Sequence, residues 1–381
     1  MRIAHIGLAS FYTDGMTYQD NMLAEQNVRD GHDVLYVSNA AKYENGKIVQ
    51  TGFEDAVLPC GVRLVRMPYV KCLTASLSAK IRKVSGLYEL LCDFAPDVIL
   101  CHGLCFYSSL DVVRYRREHP EVKLYADTHA DYGNSGKNWL SLHILHRLFY
   151  RYLAQRALPY IEKLFYTSYE RKDFFIENYG YPEEITEFYP LGGMIPSDAE
   201  YAEMRSRRRC ELGLDESRLL FIHSGKMDAG KKTAELLDAF YSVPELDAAL
   251  IIAGSVPDGM KDALLPRFER DARVKYLGWL TADRLIEYLC ASDMYLQPGT
   301  VSATMENSMC CRCAQMLYPT DAYIRAFPKD VAFWVKDAED ILAAFRAVSE
   351  NAGIIGGMMA SAYACAKEML DYKKLASRLY R

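Results

Sequence analysis

The sequence predicts an α/β protein of two domains, each a parallel sheet with helices on both faces. Short apolar runs typical of buried strands alternate with amphipathic helical segments along all 381 residues. The composition also changes near residues 191–196, where apolar sequence gives way to polar, arginine-rich sequence. A chain of this length suits two domains of ordinary size, and we place their boundary at this change.

The composition argues against several classes of protein. Half of the residues are apolar, and a net charge of −5 disfavours nucleic-acid binding through phosphate neutralisation. Eleven scattered cysteines suit a reducing, cytoplasmic compartment. We expect no signal peptide, because strand-like sequence begins at Arg2, and no apolar run of about 18 residues predicts a membrane span. We also expect no metal site, because Cys310, Cys311 and Cys313 lie too close together for tetrahedral zinc without a second ligand pair.

The N-terminal half begins with a strand that runs into a glycine loop. Gly15 and Met16 precede a predicted helix over residues 19–30, and a second strand follows at residues 33–38. Further strands are predicted within three later segments, residues 95–103, 124–132 and 164–175, followed by an interdomain link that includes residues 189–193.

His129 follows one of these strands, flanked by Asp127 and Asp131. The carboxyl end of a parallel strand is where open α/β sheets bind ligands, which favours a functional histidine. A structural histidine–aspartate pair is the alternative. His102, at the end of the preceding strand, is expected to support the site rather than contact a ligand.

The most informative segment lies in the C-terminal half. A buried strand over residues 219–222 leads into a turn at Gly225 with Lys226, then to Lys231 and an amphipathic helix. Unpaired N–H groups at a helix start and lysine ammonium groups both favour anions, so this arrangement suits a diphosphate. The alternative is an ordinary strand-to-helix turn with solvated lysines. Three further strands are predicted in this half: residues 250–254, residues 274–280 and a strand within residues 291–299, which end in Pro-Gly.

Taken in order, these segments resemble the retaining glycosyltransferases of family four, which have the GT-B architecture. The resemblance covers essentially the whole chain. It implies two Rossmann-like, doubly wound domains facing across a cleft: residues 1–192 on the acceptor side and residues 193–366 for the nucleotide sugar. A C-terminal helix, residues 367–381, would cross back to the first domain.

The resemblance also implies the site residues. Lys226, where the family usually has arginine, and Lys231 would hold the diphosphate of the donor. His129 would face the donor sugar, and Asp131 would orient His129 or contact the acceptor. The other positions implied to contact the donor or acceptor are Gly15, Met16, Gly225, Gly254, Leu277, Gly278, Gly299, Thr300, Ser302, Ala303, Glu306 and Asn307. Within this set we expect Ser302 to cap the helix after Gly299, and the amides from Gly299 to Ala303 to face the phosphates.

The sequence departs from the family at its pair of glutamates eight residues apart. Asn307 aligns with the ribose-binding glutamate, Glu306 lies one position early, and the first glutamate has no counterpart. Arg312 replaces the usual glycine. Donor-sugar recognition is therefore expected to use different contacts.

Trp279 either lines the pocket for the nucleotide base or packs in the core. Arg207, Arg208 and Arg209 are predicted to form a solvated helix end.

The implied function is a retaining, metal-independent hexosyltransferase with a UDP-sugar as donor substrate and no separate cofactor. The acceptor would be a saccharide or a lipid-linked saccharide, in bacterial surface polysaccharide or glycolipid synthesis at the cytoplasmic side. The alternatives are a catalytically degenerate GT-B scaffold subunit and a UDP-sugar 2-epimerase.

Residues 138–166 are rich in aromatic, leucine and basic residues, so this helix either packs on the sheet or lies on an anionic membrane surface. The same alternatives apply to residues 71–83.

Overall fold

The computed structural model describes residues 1–16, 18–44 and 47–380. The chain divides into two compact units, the first formed by Met1–Pro190 with Leu375–Arg381 and the second by Leu191–Lys374. Arg381, the last residue of the predicted C-terminal helix, lies outside the described residues.

The first unit contains a twisted sheet and a small hairpin. Its strands are β1 (Arg2–Gly7), β2 (Asp33–Asn39), β3 (Ala41–Glu44), β4 (Lys47–Gln50), β5 (Glu54–Val57), β6 (Arg63–Met67), β7 (Val98–His102), β8 (Lys123–Thr128), β9 (Lys163–Tyr166) and β10 (Thr186–Phe188). The order in the eight-stranded sheet is β10-β9-β8-β7-β1-β2-β6-β5. All neighbours are parallel except β5 with β6. The strand order reverses direction beside β1, between β1 and β7.

Helices cover both faces of this sheet. They are α1 (Gln19–Arg29), α2 (Ala75–Ile81), α3 (Leu87–Phe94), α4 (Ser109–Glu118), α5 (Arg151–Ala157) and α6 (Tyr169–Tyr179). A π-helical segment, Ser141–Tyr150, runs directly into α5. Side chains of β2 alternate between two cores, with Leu35 and Val37 in one and Val34 and Tyr36 in the other. This alternation is what burial of both faces of a parallel sheet requires.

The second unit has a wholly parallel six-stranded sheet. Its strands are β11 (Leu219–Ser224), β12 (Ala248–Ala253), β13 (Val274–Gly278), β14 (Met294–Gln297), β15 (Ala314–Leu317) and β16 (Ala332–Trp334). The order is β13-β12-β11-β14-β15-β16, the Rossmann order, so the switch point lies between β11 and β14. Phe221 packs on one face, and Leu220 and Ile222 on the other. The predicted α/β class with two doubly wound, Rossmann-like sheets is thus confirmed.

The helices of the second unit are α7 (Asp198–Leu212), α8 (Thr233–Tyr241), α9 (Asp258–Phe268), α10 (Ala282–Ala291), α11 (Thr304–Cys310), α12 (Asp321–Ala326), α13 (Ala338–Glu350) and α14 (Gly353–Met369). Arg209, in α7, corrects the expectation of a solvated helix end, because it is only 1% exposed. Its guanidinium donates to the carbonyl oxygens of Asp215 and Ala291 at 2.8 Å each. A buried arginine needs such acceptors, and here they join α7 to the end of α10 and to the segment that precedes β11.

The chain ends in α15 (Tyr372–Ser377) and a short 3₁₀ turn, Arg378–Tyr380. Arg378 donates to the carbonyl oxygen of Phe188 at 2.7 Å, and the hydroxyl of Tyr380 lies 2.7 Å from the amide nitrogen of Asn27. The last residues therefore pack as part of the first unit. No helix within the described residues is long and apolar enough to cross a bilayer.

Candidate functional site

Glycine loops meet at the carboxyl edge of the second sheet. A Cβ atom on Gly254, whose φ is +144°, would lie 1.8 Å from the carbonyl oxygen of Gly225. A Cβ atom on Gly299 would lie 2.0 Å from the carbonyl oxygen of Gly230. Only glycine permits such close backbone approaches. The loops after β11, β12 and β14 are therefore packed tightly together at the switch point.

Lys231 lies among these loops and is only 6% exposed. Its ammonium group donates to the carbonyl oxygen of Thr300 at 3.1 Å. Burial lowers the pKa of this lysine, and the nearby Asp228 carboxylate opposes the shift. A partly desolvated ammonium group with a carbonyl oxygen as partner is a strong attractor for an anion.

The neighbouring predicted residues are arranged less uniformly. Lys226 is exposed in the same loop. The N–H of Thr300 already donates to the carbonyl oxygen of Gly230 at 2.9 Å, so it is not free to face a phosphate. Helix α11 begins only at Thr304, with Ala303 rather than the predicted Ser302 at the N-cap position. Ser302 instead accepts the N–H of Thr304 through its hydroxyl at 3.3 Å, because the turn after Gly299 extends further than the sequence suggested.

Glu306 and Asn307 face different surroundings. Glu306 is buried, while Asn307 is half-buried and its Oδ1 approaches Gly193. Burial raises the pKa of Tyr295 to about 12, and the Glu306 carboxylate adds to this rise. Asn307, which aligns with the ribose-binding glutamate of the family, is therefore more accessible than Glu306.

The ends of β12 and β13 hold the positions predicted for the nucleotide base. Gly254 donates its N–H to the carbonyl oxygen of Gly278 at 2.7 Å, and Leu277 is partly buried beside it. Trp279 is 70% exposed, which rules out the core-packing alternative for this side chain. An exposed indole one residue beyond the strand end is available to contact a ligand.

In the first unit, Gly15 and Met16 lie in the exposed loop after β1, with Gly15 at a φ of +70°. His129 lies at the end of β8 with 37% of its side chain exposed. Its Nε2 is 3.4 Å from the carboxylate of Asp127 and 4.0 Å from that of Asp20. Burial opposes protonation of His129, but these carboxylates, Asp127 most, raise its pKa.

Asp131 has another set of contacts. Its carboxylate accepts the backbone N–H of Asn134 at 2.7 Å and lies 3.5 Å from the guanidinium of Arg171. The orienting role suggested for Asp131 thus falls geometrically to Asp127, because Asp131 is engaged in closing its own loop.

Sequence reasoning missed Asp20, which contributes to a compact cluster with His102, Asp127 and His129. The nitrogen and oxygen atoms that these four side chains offer all lie within 4.8 Å of one another, a spacing at which side chains could share a metal ion. They also bond to one another, since His102 Nδ1 is 2.7 Å from Asp127. Asp20 lies in the first turn of α1, directly after the β1 loop, and this placement at a carboxyl edge was the available signal.

No protein-family model and no curated protein matches the chain. Solved structures do match over nearly its full length. HepE from Anabaena, solved in complex with UDP, gives a TM-score of 0.68 at 14% identity, covering 100% of this chain and 98% of that one. Sucrose-phosphate synthase from Thermosynechococcus elongatus gives 0.66 at 13% identity, with 100% and 97% covered. WaaG, a glycosyltransferase involved in lipopolysaccharide biosynthesis, gives 0.60 at 15% identity, with 99% of each chain covered. The chain therefore has the fold of the GT-B glycosyltransferases.

Proposed function

We propose that this protein is a retaining glycosyltransferase that transfers a hexose from a UDP-sugar to a saccharide or lipid-linked acceptor. Residues 193–366 would bind the donor and residues 1–192 the acceptor. The choice of UDP is supported by HepE, which was solved with UDP and with UDP-glucose. A role in bacterial surface polysaccharide or glycolipid synthesis is supported by the likeness to WaaG.

The observation that carries this proposal is the buried ammonium group of Lys231 among the glycine loops at the β11/β14 switch point. Transfer from a nucleotide sugar requires stabilisation of the charge that develops on the departing diphosphate. Lys231 supplies a preorganised cation there, and the exposed Lys226 supplies a second positive charge from the same loop. With two lysines in this role the diphosphate needs no divalent ion, which is our reason for proposing a metal-independent reaction.

His129 is proposed to contact the donor sugar or the oxygen of the leaving phosphate. Its raised pKa keeps the ring protonated over a wider pH range and therefore able to donate a hydrogen bond. The carboxylates of Asp127 and Asp20 would stabilise the protonated ring of His129.

The first experiment measures nucleotide binding. Lys231→Ala should weaken UDP binding about 10- to 100-fold in titration calorimetry, because a charge-assisted hydrogen bond contributes about 1.5–3 kcal/mol. The matched control is Lys261→Ala in the same unit, which removes an exposed lysine that pairs with Asp258 at 2.7 Å. Unchanged UDP affinity in Lys231→Ala would exclude this lysine from a diphosphate site.

The second experiment identifies the reaction. The wild-type protein is incubated with UDP-sugars, with and without a bacterial lipid-linked saccharide extract, and the products are separated by chromatography. Acceptor-dependent UDP release with a new glycoside supports transfer. Conversion of the donor into its 2-epimer would instead indicate an epimerase, and tight UDP binding with no turnover would indicate a scaffold subunit.

We further propose that the first unit docks on an anionic membrane at the cytoplasmic face. Leu140, Ile144, Leu148 and Tyr152 recur every fourth residue along the helix that ends in α5, and each is at least 44% exposed. The opposite side of that helix is buried through Tyr150, Leu153, Ala154 and Ala157. The packing alternative considered for this segment describes its buried face, and we propose the membrane alternative for its exposed face.

Charge supports a lipid surface as the occupant of this exposed stripe. Four basic side chains flank it and are exposed: Lys137, Arg147, Arg151 and Arg156. The sequence has no acidic residue between Lys137 and Tyr160. An apolar stripe with a purely basic border matches anionic headgroups above an acyl layer.

A further inference from the structure

A buried series of hydrogen bonds connects the C-terminal tyrosine to Asp127, whose carboxylate lies 3.4 Å from the ring of His129, and the function proposed above does not use it. We propose that this series, which we name the polar relay, positions His129 for its role. The members of the polar relay, from the outside inward, are Tyr380, Asn27, His5, His102, Asp127 and His129.

The outer half of the polar relay is fixed by short hydrogen bonds. The hydroxyl of Tyr380 donates to Asp30 at 2.8 Å and accepts from the amide nitrogen of Asn27 at 2.7 Å. The ring edge of Tyr380 also packs on His32, with centroids 4.3 Å apart. Because Asn27 gives its N–H to Tyr380, its carbonyl oxygen faces His5 Nε2, 2.7 Å away.

These contacts dictate where the protons lie. Asn27 presents an oxygen, so His5 Nε2 must carry a hydrogen. Burial, followed by the positive charge of His102, lowers the pKa of His5 to about 3, so its ring is neutral and Nδ1 has no hydrogen. His5 Nδ1 must therefore accept, and the donor is His102 Nε2 at 3.0 Å. The direction of every bond from Asp30 to His102 is set by this logic.

The inner half of the polar relay fixes the position of the Asp127 carboxylate. His102 Nδ1 donates to one oxygen of Asp127 at 2.7 Å, and the N–H of Gly103 donates to the other at 3.1 Å. Asp127 is 3% exposed and thus held rigidly by both partners. Its second oxygen is also the one that lies 3.4 Å from His129 Nε2.

The consequence is a fixed ring orientation at His129. Its Nε2 is buried against Asp127, so the other ring atoms carry the 37% exposure of the side chain. In this arrangement His102, His5 and Asn27 are positioning residues, and Tyr380 closes the series from the last turn of the chain. A histidine that is misplaced by about 1 Å can cost about 100-fold in rate, so such support has a measurable effect.

The test uses Tyr380→Phe, which removes one hydroxyl and leaves the ring in place. The control is Tyr181→Phe, which removes a buried hydroxyl of the same unit that donates to Ala154 at 2.7 Å, outside the polar relay. Asp30→Ala is the second variant, because this half-buried residue can be replaced with little risk to folding. The kinetic readout rests on the proposed transferase function, whereas the spectroscopic readout does not.

The spectroscopic readout is imidazole ¹⁵N NMR of the full-length protein. In the wild type, His5 should be the pure Nε2–H tautomer. In Tyr380→Phe and Asp30→Ala the Asn27 amide is released from its fixed direction, and a second His5 tautomer should become populated. In Tyr181→Phe the spectrum of His5 should match that of the wild type.

The kinetic readout separates positioning from binding. Tyr380→Phe should lower kcat by about tenfold or more while leaving UDP affinity unchanged. An unchanged His5 tautomer, or a kcat equal to that of Tyr181→Phe, would overturn the proposal. Activity that is lost with EDTA and restored by a divalent ion would also overturn it, by assigning the inner cluster to a metal. A changed tautomer in a protein without transferase activity would leave the outer relay intact and reject only the proposed function.

Discussion

Gly254 shows how single residues shape the proposed nucleotide site. Its φ of +144° lies outside the range that side-chain-bearing residues adopt readily, and a Cβ atom would meet the Gly225 carbonyl oxygen at 1.8 Å. The contact is between two backbone segments, so no flexible side chain can move aside.

Gly254→Ala should therefore lower the free energy of unfolding by about 2 kcal/mol or more, because it combines backbone strain with a steric clash. Gly259→Ala is the control, since it lies in α9 and, apart from its chain neighbours and its own helix backbone, no atom of the described residues lies within 4 Å of its added Cβ. That change should be neutral or stabilise by about 0.5–1 kcal/mol. Urea unfolding compares the two, and equal stabilities would show that the loops can separate without cost.

Residues that the sequence did not single out form the polar relay. His5 and Asn27 lie inside a strand and a helix, where only a polar residue in an apolar pattern could have signalled them. Their role depends on contacts between residues as far apart as Asn27 and Tyr380. Such pairs are set by tertiary packing, which periodicity and local motifs do not encode.

At the scale of elements, strand periodicity and glycine loops were sufficient to predict the parallel sheets and the location of the Lys231 loop. The start of α11 was not predictable, because the turn from Gly299 to Ala303 is held by the bond between Thr300 and Gly230, 70 positions apart in sequence. The antiparallel edge strand β5 was also missed. It is short and mostly exposed, and its ion pair between Asp55 and Arg63 at 2.8 Å gives no periodic signal.

The exposed stripe along Ser141–Tyr150 and α5 should bind anionic vesicles. In sedimentation assays the protein should bind vesicles that contain phosphatidylglycerol, and bind them less in high salt, because surface charges are then screened. Ile144→Glu with Leu148→Glu should abolish binding.

The control replaces Leu265 and Ile324, which are exposed apolar residues of the second unit, by glutamate. Those changes should leave vesicle binding intact. Wild-type protein that ignores anionic vesicles, or that forms a dimer lost in the stripe variant, would assign this surface to something other than lipid.

At the scale of the whole molecule, each unit holds a fully buried neutral histidine. Burial lowers the pKa of His5 to about 3 and that of His223 to about 4, well below the usual value in an unfolded chain. Below pH 6.5 the unfolded state therefore binds more protons than the folded state, and stability falls as the pH falls.

From pH 6.5 to pH 5 the free energy of unfolding should decrease by about 1.6 kcal/mol in total for each of these histidines, with a slope that approaches about 1.4 kcal/mol per pH unit at the acid end. The carboxylates of Asp20 and Asp127 overcome burial and raise the pKa of His102 to about 9, so its stabilising contribution is largely present at both pH values and is lost as the pH rises from about 6.5 through 9. Urea unfolding at both pH values measures the change. A flat profile in the wild type would contradict the neutral state of these two buried histidines.

The exposure of Trp279 and Trp139 has a practical consequence. They are 70% and 68% exposed, one at the strand end proposed for the nucleotide base and the other beside the apolar stripe. Each unit thus carries a native fluorophore at its own proposed contact surface. Replacing Trp334, the third tryptophan, and one of these two by phenylalanine would let the emission of the remaining indole report a blue shift or quenching as its ligand arrives, without any attached dye.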